Sequence, residues 1–143
     1  MFNQIFDAAY FNNYSKEHFP EFLGIVIKHV EEGKIIAEMP VIKHLFAPNG
    51  FLHSGSIVAF ADTVAGYSTL SHLPENGKSF TTLELKSNFV GAIKVGAIKD
   101  GILECESSAE HIGRTTQIWR VIIRSQHTKK KIAVFSCTQL ILY

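Results

Sequence analysis

Residues 55–71 carry no proline and one charged residue, Asp62, among apolar and small side chains. Such a run predicts a helix of about 26 Å that is apolar nearly all round and must lie inside the protein. Upstream, Phe2, Ile5, Phe6, Ala9 and Tyr10 recur at three- and four-residue spacing and predict a short amphipathic helix within residues 1–14. Two β-rich runs, 23–30 and 34–39, are divided by Glu31-Glu32-Gly33, whose glycine suits a hairpin turn. After the loop Pro74-Glu75-Asn76-Gly77, four further strands are expected at 80–90, 101–111, 115–125 and 131–143. From Leu103 to Glu110, small or apolar residues alternate with acids and serine, so one face of that strand is wet. The short connections 91–94, 112–114 and 127–130 favour antiparallel neighbours over crossover units. The expected fold is α+β: one domain, without internal repeats, in which an antiparallel sheet of about six strands curls round the long helix.

Length and charge narrow the partners more than the fold. A chain of 143 residues is the usual size of one domain and can bury about 68–70% of its extended surface. Fourteen basic against thirteen acidic side chains leave a net charge of +1, so no global field draws the chain to nucleic acid or anionic lipid. Cys105 and Cys137 sit inside strand-like runs with no metal-binding spacing, which fits buried thiols in a reducing compartment. Residues 1–7 lack the basic region and apolar stretch of a secretory signal, and a cytoplasmic location is expected. The most apolar stretch, 57–70, is shorter than the roughly 20 residues of a membrane span.

The candidate chemistry lies between Asn49 and Asp62. At about 100° per residue, Gly55, Ala59, Asp62 and Gly66 share one narrow stripe of the helix, opposite Ile57, Phe60, Ala61, Val64 and Ala65. Small side chains on that stripe let a backbone, a second subunit or a substrate come close to the lone acid. An unpaired buried charge costs several kcal/mol, so Asp62 needs either hydrogen-bond partners or a function. A structural Asp62 bonded to a neighbouring strand is the plain alternative. Against it stands His53-Ser54-Gly55, where the chain enters the helix and its first N–H groups have no intrahelical acceptor. Those donors, with the partial positive charge of a helix start, suit a carbonyl oxygen that becomes an oxyanion.

The run Asn49-Gly50-Phe51-Leu52-His53-Ser54-Gly55-Ser56, followed by Phe60-Ala61-Asp62-Thr63-Val64-Ala65-Gly66, resembles the signature of the hot-dog-fold acyl-CoA thioesterases of the phenylacetate-pathway (PaaI-like) type. That signature reads G-x-x-H-G-G with an acid nine residues after the histidine, and the spacing from His53 to Asp62 matches. Residues 80–89 look like the family's third strand and His111-Ile112-Gly113-Arg114-Thr115 like its next turn, so the likeness covers roughly the last hundred residues. The resemblance implies a hot-dog fold and hydrolysis of an acyl-CoA to free acid and coenzyme A. It makes Asp62 the general base or nucleophile, has Gly55 and Ser54 donate N–H groups to the thioester carbonyl, and has His53 help position it. Thr82 falls where relatives carry a hydroxyl that orients water or acid. Asn49, Gly50, Gly66 and Arg114 become substrate-binding candidates, Arg114 towards a coenzyme A phosphate. The family builds its sites across subunit interfaces, which implies a homodimer or a tetramer of two dimers, and needs neither metal nor bound cofactor. Two positions depart from the pattern: Ser54 replaces the first glycine after the histidine, and Ala47 stands where many relatives carry Asn or Gln.

Other residues have plainer roles open to them. Lys129-Lys130-Lys131 reads as an exposed turn, Trp119 as packing, His111 as a solvated strand end, and Tyr67 and His72 as either pocket lining or core. Two further readings of the domain stay open: an acyl-binding module without catalysis, and a dehydratase or hydratase acting on an acyl thioester.

Overall fold

The computed structural model describes residues 1–96 and 101–143. Its elements are α1 (Ala8–Tyr14), α2 (Phe19–Phe22), β1 (Val26–Glu31), β2 (Lys34–Pro40), a 3-10 turn at Lys43–Leu45, α3 (Ser54–Ser71), β3 (Ser79–Phe89), β4 (Ile102–Ile112), β5 (Thr116–Ser125) and β6 (Lys131–Leu142). The strands form one antiparallel sheet in the order β1-β2-β4-β5-β6-β3. The hairpins β1–β2, β4–β5 and β5–β6 are sequential neighbours, but the antiparallel neighbours expected across 91–94 do not form: β3 ends at Phe89, β4 starts at Ile102, and β3 pairs with β6 at the far edge of the sheet. The sheet curves round α3, which touches β2 to β6.

Strict alternation sorts the strands into two faces. Leu103, Cys105, Trp119, Val121, Phe135 and Cys137 turn inward and are buried against Phe60 and Val64 of α3. The outer face carries the ion pairs Lys34–Glu106 at 3.3 Å and Lys129–Glu104 at 3.6 Å. Trp119 is fully buried, and its indole N–H donates to Gln117 Oε1 at 3.0 Å while Gln117 Nε2 donates to the carbonyl of His72 at 2.7 Å. Polar residues late in α3 survive burial because they bond within the helix, as Ser68 Oγ does to the Val64 carbonyl and Thr69 Oγ1 to that of Ala65.

The two sheet edges differ. Asn12 of α1 donates to the Ile27 carbonyl at 2.9 Å and accepts from the Ile27 N–H at 2.8 Å, covering the β1 edge. No described element pairs with the outer edge of β3, where Leu83 is 58% and Phe89 46% exposed.

The N-terminal region departs from the sequence expectation. The helix expected within residues 1–14 occupies only Ala8–Tyr14, because Asp7 caps it by accepting the Tyr10 N–H at 2.7 Å. Its buried face is set by Phe11 and not by Ile5 or Tyr10, both exposed. The strand expected from residue 23 starts at Val26, since Leu23 closes the short helix α2, which begins with Pro20 in its first turn. No described helix is long and apolar enough to cross a membrane.

Candidate active site

Asp62 stands near the middle of α3, half-buried, on the side facing β3 and the α1–α2 segment. There it opens on a cavity of about 350 Å3. One wall is the α3 stripe of Asp62, Thr63, Gly66, Tyr67 and Leu70, at the three- and four-residue spacing of a single helix face. Ser79, Phe80 and Thr82 of β3 form a second wall and Tyr14 and Pro20 border the far side, leaving the space open to solvent past the exposed Tyr14, Ser79 and Thr82. Gly66 has a steric reason: a Cβ there would lie 3.2 Å from Phe80 Cζ, so glycine lets the β3 ring pack on the helix. The polar lining groups are Asp62, Thr63, Ser79 and Thr82, and Pro20, Gly66, Leu70, Phe80 and the rings of Tyr14 and Tyr67 supply the apolar part.

Among the described residues, no hydrogen-bond donor or cation pairs with the Asp62 carboxylate, and burial pushes its pKa above the ordinary carboxylate value. Burial, and then the neighbouring Asp62 charge, raises the Cys137 thiol to about 11, so that sulfur stays protonated near neutral pH. Beside it, Gln139 is fully buried. Its Nε2 donates to Cys137 Sγ at 3.5 Å, and its Oε1 is the one buried side-chain oxygen or nitrogen among the described residues without a partner. Gln139 is the register partner of Thr82 across β3 and β6, which sets an orphan acceptor in the sheet beneath the cavity.

The helix start is built separately. His53 is the N-cap of α3, with φ −65° and ψ 131°, and its Nδ1 accepts the Gly55 N–H at 2.8 Å. With Nδ1 accepting, Nε2 is the ring nitrogen left to donate. The bond also explains Gly55, because a Cβ there would sit 2.9 Å from His53 Nδ1. The expectation that Gly55 offers a vacant N–H is thus corrected for the single chain: His53 already occupies it. The Ser54 N–H has no acceptor among the described residues and is exposed, so the free donor of this helix start belongs to Ser54.

Asn49 and Gly50 shape the approach to the helix. Asn49 Oδ1 accepts the Phe51 N–H at 3.2 Å, Gly50 takes φ +85°, and the Gly50 N–H closes a turn on the Ala47 carbonyl at 3.1 Å. Arg114 is exposed at the β4–β5 turn, and its carbonyl accepts the Tyr143 hydroxyl at 2.5 Å. Of the residues expected at the site, then, one chain brings Asp62, Gly66 and Thr82 to the cavity. His53, Ser54, Gly55, Asn49, Gly50 and Arg114 do not line it. Asp62 is eight residues beyond Ser54, about 12 Å further along the helix at 1.5 Å per residue. A reacting carbonyl must come within about 3 Å of both groups, so a single α3 cannot supply both.

The sequence alone missed Tyr14, Pro20, Leu70 and Gln139. The available signal for Gln139 was parity: it shares the inward phase of Phe135, Cys137 and Ile141, where a polar residue needs a reason.

A curved six-stranded antiparallel sheet around one helix, with a lone carboxylate opening on a cavity of mixed polar and apolar lining, defines a hot-dog fold with a candidate hydrolytic site. Residues 49–132 match the family model described as the thioesterase superfamily. The chain is 29% identical over 118 residues to the 1,4-dihydroxy-2-naphthoyl-CoA hydrolase of Listeria monocytogenes, covering 82% of this chain and 90% of the relative. A thioesterase structure from Haemophilus influenzae superposes with a TM-score of 0.84 at 26% identity, over 94% of this chain and 90% of that one. The PaaI protein of the E. coli phenylacetic acid degradation operon shares the fold, with a TM-score of 0.79 at 20% identity over 95% and 91% of the two chains. The chain belongs to the thioesterase superfamily, and its activity class is thioester hydrolysis.

Proposed function

We propose that this protein hydrolyses an acyl-CoA to the free acid and coenzyme A, in a site made of Asp62 from one subunit and the α3 start of another. The observation that carries the reading is Asp62: a half-buried, unpartnered carboxylate of raised pKa in a cavity that also has an aromatic and aliphatic wall. Desolvation makes it a stronger base than a surface aspartate, and the cavity gives the acyl group an apolar seat beside it. The Listeria relative, whose name specifies a CoA thioester, supports the substrate class.

Chemically, Asp62 takes a proton from water as the oxygen adds to the thioester carbon, and the carbonyl oxygen becomes an oxyanion bonded by the partner's Ser54 N–H. Collapse of the intermediate breaks the C–S bond, and the departing thiolate takes up the proton. Direct attack by the carboxylate, followed by hydrolysis of the anhydride, gives the same products. Thr82 lines the same cavity from β3 and offers a hydroxyl to this chemistry. His53 holds the helix entry through Gly55 and keeps Nε2–H as a second donor. No step requires a metal or bound cofactor.

The 12 Å between the two halves and the unpaired β3 edge both favour a homodimer, which would bring a second α3 start towards Asp62. The test is release of free thiol from a panel of aryl- and fatty-acyl-CoAs by wild type and by Asp62→Ala. Turnover in the wild type and its loss in the variant support the reading, whereas turnover that survives the substitution ends it.

A further inference from the structure

We infer that Tyr14, from the N-terminal helical segment, is a specificity-determining residue that limits how long an acyl group the site accepts. This rests on the proposed assignment of the Asp62 cavity to the acyl group. A second cavity, of about 280 Å3, lies beyond the first and shares three of its lining residues, Tyr14, Pro20 and Tyr67, with His18 on its far side. The two spaces are therefore neighbours across a partition made of two tyrosines and a proline.

The members of that partition are held very differently. Tyr67 is part of the buried core: its ring stacks on Phe11 at 4.5 Å and 8°, and its hydroxyl is bonded to Ser15 Oγ at 2.7 Å. Pro20 is fixed by its ring in the first turn of α2. Tyr14 is 54% exposed and leans edge-on against Tyr67 at 6.2 Å and against the face of Tyr10 at 5.9 Å. Its hydroxyl has no partner among the described residues. Tyr14 is thus the member that can be trimmed or enlarged without breaking a hydrogen bond, while its ring contacts with Tyr10 and Tyr67 hold it in the partition.

Distance along α3 says where this matters. Tyr67 is five residues past Asp62, about 7.5 Å along the axis, which is close to the span of a hexanoyl or phenylacetyl group. An acyl group whose carbonyl sits at Asp62 and which runs along the apolar wall meets Tyr14 and Tyr67 at about that length. A longer one must pass Tyr14 into the space beside His18.

The experiment compares kcat/KM for decanoyl-CoA and butanoyl-CoA in wild type, Tyr14→Ala and Tyr14→Trp, with Phe22→Ala as a control outside both cavities. Melting temperatures establish that each variant is folded. Opening the partition raises the decanoyl-to-butanoyl ratio by roughly tenfold or more, the discrimination that a methylene or two commands in an apolar pocket. Filling it with tryptophan lowers the ratio, and Phe22→Ala leaves the ratio at the wild-type value. A Tyr14→Ala ratio within twofold of wild type overturns the inference. Calorimetric affinities for the two acyl-CoAs, measured on the same proteins, separate this from failure of the hydrolase reading. If nothing is turned over but the affinity ratio moves with Tyr14, the partition is real and the catalysis is not. If neither ratio moves, Tyr14 sets no limit.

Discussion

Replacing Ser54 with proline would test the division of the site between two chains at the level of one hydrogen atom. Ser54 is the first residue of α3, where the missing N–H of proline breaks no intrahelical bond and its fixed φ matches the helix. The preceding His53, at φ −65° and ψ 131°, already has the extended ψ that a following proline requires. The substitution therefore deletes the free donor of the helix start with little effect on the fold, and the melting temperature should hold. Loss of one oxyanion donor costs about 2.7–4 kcal/mol of transition-state stabilisation, or roughly 10²–10³ in kcat, with a smaller change in KM. Ser54→Ala, which keeps the N–H, should cost less than about tenfold. If the donor serves the partner's Asp62, Ser54→Pro and Asp62→Asn subunits complement each other. Random mixing makes half the dimers mixed, each with one intact site, so about a quarter of wild-type activity returns. Thiol-release kinetics on each variant and on the mixture measure all of this. A Ser54→Pro kcat within threefold of wild type would refute the assignment of the donor. So would a mixture that stays inactive while native mass spectrometry shows mixed dimers.

Further outcomes follow from the surroundings of Asp62, His72 and Gln139. Asp62→Asn should lower kcat/KM by about 10²–10⁴, and the wild-type acid limb should lie above the ordinary carboxylate range because burial raises that pKa. The same shift fixes the sign on stability. The folded chain favours protonated Asp62, so its contribution is present at low pH and is lost as pH rises through the folded value. Asp62→Asn should then be more stable than wild type at pH 7, with the difference closing below the usual Asp pKa, and urea titrations at both pH values will show whether it does. His72 has the opposite sign: burial lowers its pKa against the Ser68 carbonyl and Glu32, which favour the charged form, and Nε2 accepts the Gly33 N–H at 2.8 Å. Stability from His72 is present above the usual imidazole pKa and falls as pH drops towards the folded value, so His72→Gln should flatten the decline between pH 7.5 and 5; equal slopes would contradict this. Gln139→Leu removes an orphan acceptor from the core and should change unfolding free energy by less than about 1 kcal/mol, or raise it. A loss above about 3 kcal/mol by urea denaturation would mean that Oε1 has a partner after all.

Much of the fold was legible because its signals are local. A proline-free apolar run with one acid can only be a buried helix, and α3 spans Ser54–Ser71 against the expected 55–71. The alternation at Leu103 to Glu110 places inward and outward residues of β4 correctly. The N-terminal segment was less legible because its phase is set by tertiary contacts. Phe11 stacks on Tyr67 and Asn12 bonds the β1 edge, and together they rotate α1 away from the face that the spacing of Ile5 and Tyr10 suggests. Strand order was also beyond the pattern, since nothing local tells β3 to pair with β6.

Of the candidate site, the sequence picked out Asp62, Gly66 and Thr82, which one chain brings to a common cavity, but it did not reveal how far the helix start lies from them. The motif puts Ser54 and Asp62 on one helix, but a helix converts eight residues into about 12 Å, too far for two groups proposed to meet one carbonyl. Sequence proximity here argues against joint action within a chain, and the same rigid spacing makes a second copy the natural source of the missing donor. The capping bond from Gly55 to His53 sharpens the point. It takes the N–H expected from the motif out of play and leaves that of Ser54, the very position at which the chain departs from the family pattern. Because backbone N–H groups do not depend on side-chain identity, a serine in place of glycine can preserve the donor while the signature looks broken, provided the helix entry tolerates its Cβ, as the exposed position of Ser54 does.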